Sequence, residues 1–519
     1  MNVTGAGLLL RQALRRDRVL VGSCLAVFVA MAYASAHATG TLYDSPPERL
    51  AAVALINGQR GILALYGPID AHAGVGALAM SKMTVLYALF AAGMFVALVR
   101  RHTRAEEKSG RAELVAGTAT GRNAPLAAAV AESAAIAVLL GSCCALAAVV
   151  GGLPVRGSVY FGLSWIGTGL VATGVAAVCC QLSASARTCG VAAVGVLGGS
   201  YLVRAVGDAT SLHWLDWLSP FGWNTQLHAW STPRAWVALL YPALAVILLA
   251  AAQSMRAHRD LNAGMLAARP GAARGSVHLR GPLGLQLATH RTMLAIWSVA
   301  VFALCAFFGA IIPALDDVLK TVGGERLAVD LGGSLMVAIL AEFAVVSSCF
   351  GVVVAGHAAA EELQGRAELT LATGQSRTRW FLAGAALAAG GTAWLVLLAG
   401  LGMWLGYGLG GGPDPVRALE GALVWIPATV LFGCLALALL AIRPTLAPVA
   451  WALPLGSWVL GVIAPLLHAP AWVAALSPYD HVPKVPVDAM SWTPEVLLSL
   501  LAGAVLLTGL ERFRTRDIG

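Results

Sequence analysis

The sequence predicts an all-α polytopic membrane protein with about twelve transmembrane helices in two six-helix repeats. Three observations predict this fold class: the composition, the spacing of apolar runs and an internal repeat. Of the 519 residues, 58% are hydrophobic and 12% are charged, and the mean hydropathy is +0.77. A soluble domain carries about a quarter charged residues. The composition therefore excludes a cytosolic enzyme, and the low charge also excludes a disordered chain.

Apolar runs follow one another along the whole chain. The first six lie at 17–36, 77–99, 125–152, 158–182, 189–205 and 235–254. The second six lie at 292–313, 332–355, 380–408, 417–439, 446–466 and 494–510. A spanning helix takes about 20 apolar residues, so these runs leave only short loops and no folded soluble domain. Two runs, 189–205 and 494–510, are short, so a count of about ten to twelve stays open.

The first run resembles a cleavable signal peptide, because basic residues precede it and Ala34-Ser35-Ala36 lies near its end. We expect it to be retained. The amphipathic stretch that precedes it, predicted as a helix over 4–16, is too long for the basic start of a signal peptide. A similar stretch at 283–291 precedes the seventh run.

Basic and acidic loops alternate along the chain. Segments 1–18, 100–122 and 255–291 are basic, whereas 37–76, 314–331 and 478–493 hold at least as many acids as bases. Because basic loops stay in the cytoplasm, both termini are predicted to be cytoplasmic. The formal net charge of +8 is therefore explained by orientation in a bacterial inner membrane, and no nucleic-acid partner is expected.

An internal repeat divides the chain into two halves. Residues 102–114 (HTRAEEKSGRAEL) and 357–369 (HAAAEELQGRAEL) are identical at nine of thirteen positions, with a constant offset of 255. Each copy follows the second predicted span of its half. The halves are predicted at 1–254 and 283–519, joined by a cytoplasmic linker at 255–282. Such a chain is expected to form a pseudo-dimer with a central seam.

The repeated segment carries a fixed pattern of charges. Glu107 lies four residues before Arg111, and Glu362 before Arg366, which predicts a helical ion pair in each copy. One exposed ion pair contributes only about 0.3–0.5 kcal/mol to stability. A solvated loop helix stabilised by such a pair therefore does not explain why the whole pattern occurs twice. Repetition favours a docking surface for a two-fold partner. The expected docking residues are Glu106, Glu107, Gly110, Arg111, Glu113, Glu361, Glu362, Gly365, Arg366 and Glu368.

The order Glu-Glu-x-x-Gly-Arg-x-Glu-Leu after a second span resembles the coupling segment of ABC-2 type transporter permeases. The fuller first copy, the Leu65-Tyr66-Gly67-Pro68 of the first outer loop and two Leu-Ser-Pro-[Phe/Tyr] motifs resemble a narrower group. These are the fused permeases of polyketide-antibiotic (tetronasin-type) exporters, which have the pseudo-dimeric ABC-2, or type V, fold. The resemblance covers nearly the whole chain.

The resemblance implies a role for each repeated segment. The amphipathic helices 4–16 and 283–291 would lie along the membrane surface. The coupling segments 100–123 and 356–379 would contact an ATPase subunit. The second copy has Ala359 and Leu363 where the first has Arg104 and Lys108, so the two docking sites are expected to be unequal.

The resemblance also implies an ATP-driven exporter that expels hydrophobic antibiotics, drugs or lipid-like molecules by alternating access between its halves. The sequence contains no G-x-x-x-x-G-K-[ST] phosphate loop. ATP and Mg²⁺ are therefore expected on a separate ABC ATPase, in two copies, and this chain is expected to be no enzyme. No cofactor or metal site is predicted here, because the nine cysteines lie in or beside apolar runs and form no C-x-x-C pair.

Re-entrant segments are implied at 211–225 and 471–485, on the outer side. They contain the candidate outer-gate residues Trp217, Ser219, Pro220, Phe221, Ser477, Pro478 and Tyr479. Anchoring of tryptophans at the membrane interface is the alternative explanation for Trp217.

Ionisable residues inside apolar runs suggest an alternative function, an ion-coupled secondary multidrug carrier that uses Glu132 or Glu342. The repeat offset places Leu387 opposite Glu132 and Tyr87 opposite Glu342, so neither carboxylate is matched in the other half. This mismatch makes ion coupling the weaker hypothesis. Two Gly-x-x-x-Gly pairs, at 195–199 and 402–406, predict close helix packing in lipid.

Overall fold

The structure, a computed structural model, describes residues 2–42, 46–58, 60–70, 74–210, 212–266, 279, 281–323, 325–466 and 470–517. Only the backbone is described at 40–42, 46–48, 51, 55, 60–62, 314–323, 325–334, 462–466, 471 and 474. Every regular element in these ranges is a helix. The chain divides into two compact units, Met1–Gly271 and Ala272–Gly519. Residues 267–278 and 280 of the predicted linker 255–282 lie outside the described residues.

Among its described residues the first unit contains twelve α-helices. They are α1 (Ala6–Leu42), α2 (Pro46–Gly58), α3 (Arg60–Tyr66), α4 (Val75–Lys82), α5 (Ala88–His102), α6 (Arg104–Lys108), α7 (Arg111–Ala116), α8 (Ala124–Val150), α9 (Val155–Leu182), α10 (Ala186–Ala209), α11 (Pro220–Gln226) and α12 (Leu240–Ala257). A π-helical stretch, Met83–Tyr87, joins α4 to α5, and 3₁₀ helices lie at His213–Leu218 and Ala235–Leu239.

The second unit contains nine α-helices among its described residues. They are α13 (Pro282–Gly323), α14 (Glu325–Leu363), α15 (Arg366–Leu371), α16 (Arg377–Leu409), α17 (Val416–Leu423), α18 (Ile426–Ile442), α19 (Ala452–Leu466), α20 (Ala471–Ala474) and α21 (Trp492–Thr515). Two 3₁₀ helices lie at Pro444–Trp451 and Pro478–His481.

Eleven helical segments of the described chain are long and apolar enough to cross a membrane, which confirms the all-α polytopic fold class. The predicted run 446–466 is not among them. Pro444 and Pro448 hold its beginning in a 3₁₀ helix, and α19 is only 15 residues long. Proline removes a backbone donor and disfavours a continuous α-helix, which explains the interruption.

Two boundaries differ from the predictions. The amphipathic stretches 4–16 and 283–291 are the beginnings of α1 and α13, which continue without a break into the first span of each unit. The acidic loop predicted at 314–331 is helical in its described residues, because α13 continues to Gly323 and α14 begins at Glu325. The acidic residues of this segment predicted a loop, but charged residues do not by themselves end a helix.

Small residues let the helices of each unit approach closely. On α9, a Cβ added at Gly162 would lie 2.7 Å from the carbonyl oxygen of Gly141 on α8, and one at Gly169 would lie 2.8 Å from the ring of Phe95 on α5. Close backbone approach of this kind is the usual way in which membrane helices gain packing energy. As a result, α9 is the most enclosed helix of the first unit.

The packing predicted for the two glycine pairs is confirmed at one of them. In the second unit, a Cβ on Gly402 or Gly406 would overlap the backbone of α13 at Phe302 or Ala306. At Gly195 and Gly199, no atom lies within 4 Å of an added Cβ, so the prediction of close packing is wrong there.

Candidate coupling site

Each copy of the repeated segment folds as a helix, a tight turn and a short helix. In the first unit, α6 ends at Lys108 and α7 begins at Arg111, and Gly110 between them has φ of +75°. In the second unit, Gly365 precedes α15 with φ of +71°. A side chain at either position would strain this left-handed turn, which explains why glycine occurs in both copies.

The two copies enter this turn differently. Thr103 interrupts the first copy between α5 and α6, and its hydroxyl donates to the carbonyl oxygen of Val99 at 2.6 Å. The second copy has Ala358 at the same repeat position, and α14 continues through it to Leu363. A threonine hydroxyl that bonds the preceding turn competes with the helix, whereas alanine favours it.

The ion pairs predicted within the two copies are wrong. Arg111 lies 3.7 Å from Glu106, and Arg366 lies 2.6 Å from Glu361, so each arginine pairs with the first glutamate of its motif. Glu106 also contacts Arg16 of α1. The turn at the glycine interrupts the helix between the glutamates and the arginine. The rule that residues four apart pair applies to an uninterrupted helix and therefore fails here.

The second glutamate of each motif forms close ion pairs; Glu107 is buried and Glu362 is half-buried. Arg104 Nη1 donates to Glu107 Oε2 at 2.6 Å, and Arg259 Nη2 donates to Glu107 Oε1 at 2.7 Å. Arg256 lies 3.9 Å from the same carboxylate. Arg256 lies in the last turn of α12, the last helix of the first unit, and Arg259 follows that helix. Hydrogen bonds between charged groups are stronger than those between neutral groups. Here they satisfy a carboxylate that would otherwise be costly to bury.

The second unit has an equivalent but smaller connection. Arg516, which follows the last helix α21, lies 2.6 Å from Glu362 Oε1 and 2.7 Å from Oε2. No second arginine contacts Glu362 among the described residues. The position that Arg104 fills in the first copy is Ala359 in the second.

A further arginine fastens the end of each repeated segment. Arg122 Nη2 donates to the carbonyl oxygen of Arg259 at 2.9 Å. Its repeat counterpart Arg377 donates to the carbonyl oxygen of Arg516 at 2.6 Å. Each segment is thus bound at two points to the end of the last helix of its own unit.

The outer face of each segment is charged, and an exposed leucine occupies the same repeat position in both copies. Leu114 is 76% exposed and its repeat counterpart Leu369 is 71% exposed. The glutamate that precedes each leucine, Glu113 or Glu368, is also exposed. A large apolar side chain at the same exposed position of both copies is the feature of this surface that solvation alone does not explain.

A cavity of 680 Å³ lies beside the first segment. It is bounded by the beginning of α1, by the segment itself and by the end of α12. Charged side chains from all three elements line it, among them Arg16, Glu106 and Arg256, and His102 also borders it. The cavity has the size of a small-molecule site.

The candidate outer-gate residues of the first unit are packed. Phe221 is fully buried and meets the ring of Tyr201 edge-on at 6.0 Å between centroids. Ser219 Oγ accepts from the backbone N–H of Phe221 at 3.2 Å, and Pro220, the first residue of α11, is buried. Trp217 stacks on Trp236 with centroids 5.4 Å apart. These contacts describe a closed packing, and the gate role stays a prediction.

In the second unit, Pro478 begins a 3₁₀ helix and Ser477 is buried. The Tyr479 hydroxyl donates to Ser348 Oγ at 2.9 Å, and its ring lies 4.9 Å from that of Phe432. Burial raises the pKa of Tyr479 above its usual value, so the phenol is neutral at physiological pH.

A buried polar network at the other end of the first unit was not predicted. Arg204 is fully buried on α10; its Nη1 donates to Asp208 at 2.7 Å and its Nη2 to the carbonyl oxygen of Ala64 at 2.5 Å. Nearby Asp216 is buried, and burial raises its pKa, opposed by His213 and Arg204. A basic residue inside an apolar run was the available signal. Asp208 follows it by four residues on the same helix, but the Ala64 carbonyl belongs to the distant helix α3.

The two intramembrane glutamates differ in their surroundings. Glu342 is exposed within its unit and accepts a hydrogen bond from Trp458 Nε1 at 2.9 Å. Glu132 is fully buried, 3.4 Å from His102 Nε2, and Asp17 lies on the other side of the same ring nitrogen at 2.6 Å. Sequence spacing gave no sign of this cluster, because its members come from α1, α5 and α8.

Comparison with known proteins agrees with this architecture. The family described as multidrug efflux system permease Rv1217c, C-terminal domain, matches residues 7–255 and 279–514. The multidrug efflux system permease protein Rv1217c of Mycobacterium tuberculosis (strain ATCC 25618 / H37Rv) is 34% identical over 527 residues, which cover 99% of this chain and 95% of that protein. The expectation of an efflux permease is confirmed. The chain is a multi-pass membrane protein that belongs to the family of multidrug efflux system permeases related to Rv1217c.

Proposed function

We propose that this permease is the membrane subunit of an ATP-driven ABC exporter of the ABC-2, tetronasin-type class. Its coupling segments, 100–123 and 356–379, dock onto two copies of a separate ATPase that binds ATP and Mg²⁺. The exported compounds are hydrophobic drugs or antibiotics, in keeping with the name of the relative. One observation carries the proposal: the repeated segment presents the same exposed leucine beside the same charged residues in both units.

The chemistry of this surface fits a protein partner. Leu114 and Leu369 each supply an apolar anchor, and each leucine has an exposed glutamate and an exposed arginine within three residues of it in the sequence. Interfaces commonly combine a small apolar centre with a polar rim, and a few anchors provide most of the binding energy. The same surface occurring twice requires a partner that is itself present twice.

The buried anchors explain how a force on the segment would reach the helices. Glu107 ties the first segment to the end of α12, and Glu362 ties the second to the end of α21. Movement of a docked ATPase would therefore displace the last helix of each unit together with the segment. A flexible, solvated loop would absorb the same movement.

The charge pattern supports a cytoplasmic location for both termini. Segments 1–18, 100–122 and 255–291 are basic, and basic loops favour the cytoplasmic side, where ATP is available. The repeat then puts the second coupling segment on the same side as the first. We propose that ATP-driven rearrangement of the two halves opens the substrate path alternately inward and outward. An ion-coupled carrier is the alternative, and Glu132 is its candidate carboxylate because Glu342 is exposed within its unit.

The docking assignment is tested by placing a charge on each exposed leucine. Leu114→Asp, Leu369→Asp and the double variant are co-expressed with a candidate ABC ATPase partner that exports drugs together with the unmodified permease. We expect each single variant to weaken co-purification and drug export by more than about tenfold, and the double variant to abolish both, because a buried aspartate lacks a partner in an apolar contact. Pull-down and export of a fluorescent drug are measured together.

The matched control is Leu266→Asp, because Leu266 is also a leucine, is 65% exposed and follows α12 outside both segments. It should bind the ATPase and export as the unmodified permease does. Normal assembly and export by the double variant would show that the segments are solvated loops, and the docking assignment would then be wrong.

A further inference from the structure

Three helices of the first unit bring a histidine and two carboxylates together beneath the coupling segment. Asp17 lies on α1, His102 is the last residue of α5, and Glu132 lies on α8. The Asp17 and Glu132 side chains are fully buried, and that of His102 is 11% exposed. One ligand atom from each residue lies within 4.8 Å of the other two.

The cluster contains two carboxylates and one permanent positive charge. Arg101 Nη1 lies 2.6 Å from Asp17 Oδ1 and offsets that carboxylate. Neither oxygen of Glu132 has a hydrogen-bond partner among the described residues, although its side chain is fully buried. An ionised carboxylate without a partner is strongly disfavoured in such surroundings. With a neutral His102 ring, Glu132 therefore requires a bound cation or a proton of its own.

The donor set suits a metal ion. One imidazole nitrogen and two carboxylate oxygens are ligands that Zn²⁺ accepts in tetrahedral sites with an open fourth position. Bonds of about 2.0–2.1 Å place neighbouring ligand atoms about 3.3 Å apart. His102 Nε2 and Glu132 Oε2 are 3.4 Å apart. The Asp17 contact, at 2.6 Å, is a hydrogen bond that an entering ion replaces, and this pair then separates to the wider spacing.

The surroundings supply an outer shell and a route of entry. Arg101 holds the outer oxygen of Asp17, as second-shell groups do for metal-binding carboxylates. His102 borders the 680 Å³ cavity beside the coupling segment, so a hydrated ion can reach the cluster from that side. Ligand identity, spacing, an outer shell and an entry path are the features by which a metal site is judged.

We propose that Asp17, His102 and Glu132 bind a divalent transition-metal cation of the Zn²⁺ type. The bound ion joins α1 and α8 to His102, the last residue of α5, just before α6 begins. It thereby fixes the base of the first coupling segment. The second unit lacks such a site among its described residues, because Leu387 stands at the repeat position of Glu132, and His357 contacts His290 at 3.0 Å instead.

The site is tested on the full-length permease, purified in detergent through a tag without histidines. The protein is incubated with Zn²⁺, passed over a chelating resin and analysed for retained metal by mass spectrometry. The variants are His102→Ala and Glu132→Gln, with His357→Ala as the matched control because it alters the repeat counterpart of His102. The midpoint of thermal unfolding is recorded for each protein with Zn²⁺ and with EDTA.

We expect the unmodified permease and His357→Ala to retain one cation per chain, and Zn²⁺ to raise their unfolding midpoints. His102→Ala and Glu132→Gln should bind Zn²⁺ more than about tenfold less tightly and show no such rise. Glu132→Gln preserves size and removes the charge, so it decides the matter where His102→Ala does not fold. The proposal is overturned if the unmodified protein retains no Zn²⁺, or if Glu132→Gln retains as much as the unmodified protein does. Glu132 is then neutralised by a proton.

Discussion

Two neighbouring glutamates, Glu106 and Glu107, have different surroundings although both belong to the repeated motif. Glu106 is partly exposed and pairs with Arg16 and Arg111 across solvent-facing side chains. Glu107 is buried and bound by Arg104 and Arg259. The exposed carboxylate is available to a partner, whereas the buried one holds the segment in place.

This difference predicts that substitution by alanine lowers stability much more at Glu107 than at Glu106. Glu107→Ala leaves several buried arginines without their carboxylate, which should destabilise the first unit by about 3–5 kcal/mol. Glu106→Ala, the adjacent control, removes exposed pairs and should change stability by less than about 1 kcal/mol. The measurement is heat-induced loss of the monodisperse peak in size-exclusion chromatography. Equal losses for the two variants would contradict the buried network.

Sequence reasoning was weakest at this scale. The rule that residues four apart pair on a helix predicted Glu107 with Arg111, but Gly110 turns the chain, and Arg259 reaches Glu107 from 152 residues away. The same limit hid the contact between Asp17 and His102, which lie 85 residues apart on different helices. Local spacing indicates which side chains are charged, and tertiary packing decides which of them meet.

At the scale of elements, α13 and α16 depend on glycine for their contact. Gly402 and Gly406 on α16 face the backbone of α13, and Gly309 on α13 faces Met403, with 2.7 Å from an added Cβ to its carbonyl oxygen. The helices are close enough that any larger side chain requires them to separate. Apolar contacts alone provide little drive for association in lipid, so this fit matters.

Gly406→Val should therefore separate α13 from α16, because the added side chain overlaps the Ala306 backbone. We expect the free energy of unfolding to fall by about 1–3 kcal/mol. Gly199→Val is the control, since open space surrounds an added Cβ at Gly199. Both variants are followed by the temperature at which the detergent-solubilised protein aggregates. Comparable stability of the two would contradict the contact between α13 and α16.

The elements themselves were largely predictable. The apolar runs correspond to eleven membrane-length helices, because crossing a bilayer imposes a length and a composition that the sequence displays directly. Run 446–466 differed because its prolines favour a 3₁₀ beginning, and 314–331 differed because a helix can extend past its apolar part. The sequence indicated the Gly402–Gly406 contact correctly and the Gly195–Gly199 contact wrongly, since spacing does not show which helix lies opposite.

For the whole molecule, the source of energy is the property that separates the proposed function from its alternative. In proteoliposomes that contain the permease and the proposed ATPase partner, without any ion gradient, we expect ATP to drive accumulation of a lipophilic dye. A substitution of the phosphate-loop lysine of the ATPase should abolish this transport, and an ionophore should leave it unchanged. Transport that requires an ion gradient and continues without ATP would establish the secondary carrier.

The two units also differ in how firmly they hold their coupling segments. Three arginines surround Glu107 in the first unit, and Arg516 alone contacts Glu362 among the described residues of the second. The first segment is therefore expected to be more rigidly attached to its last helix than the second segment is. If two identical ATPase subunits move by the same amount, α12 should be displaced early, whereas the second segment should shift relative to α21 before that helix moves. A chain with two similar halves would then move them one after the other.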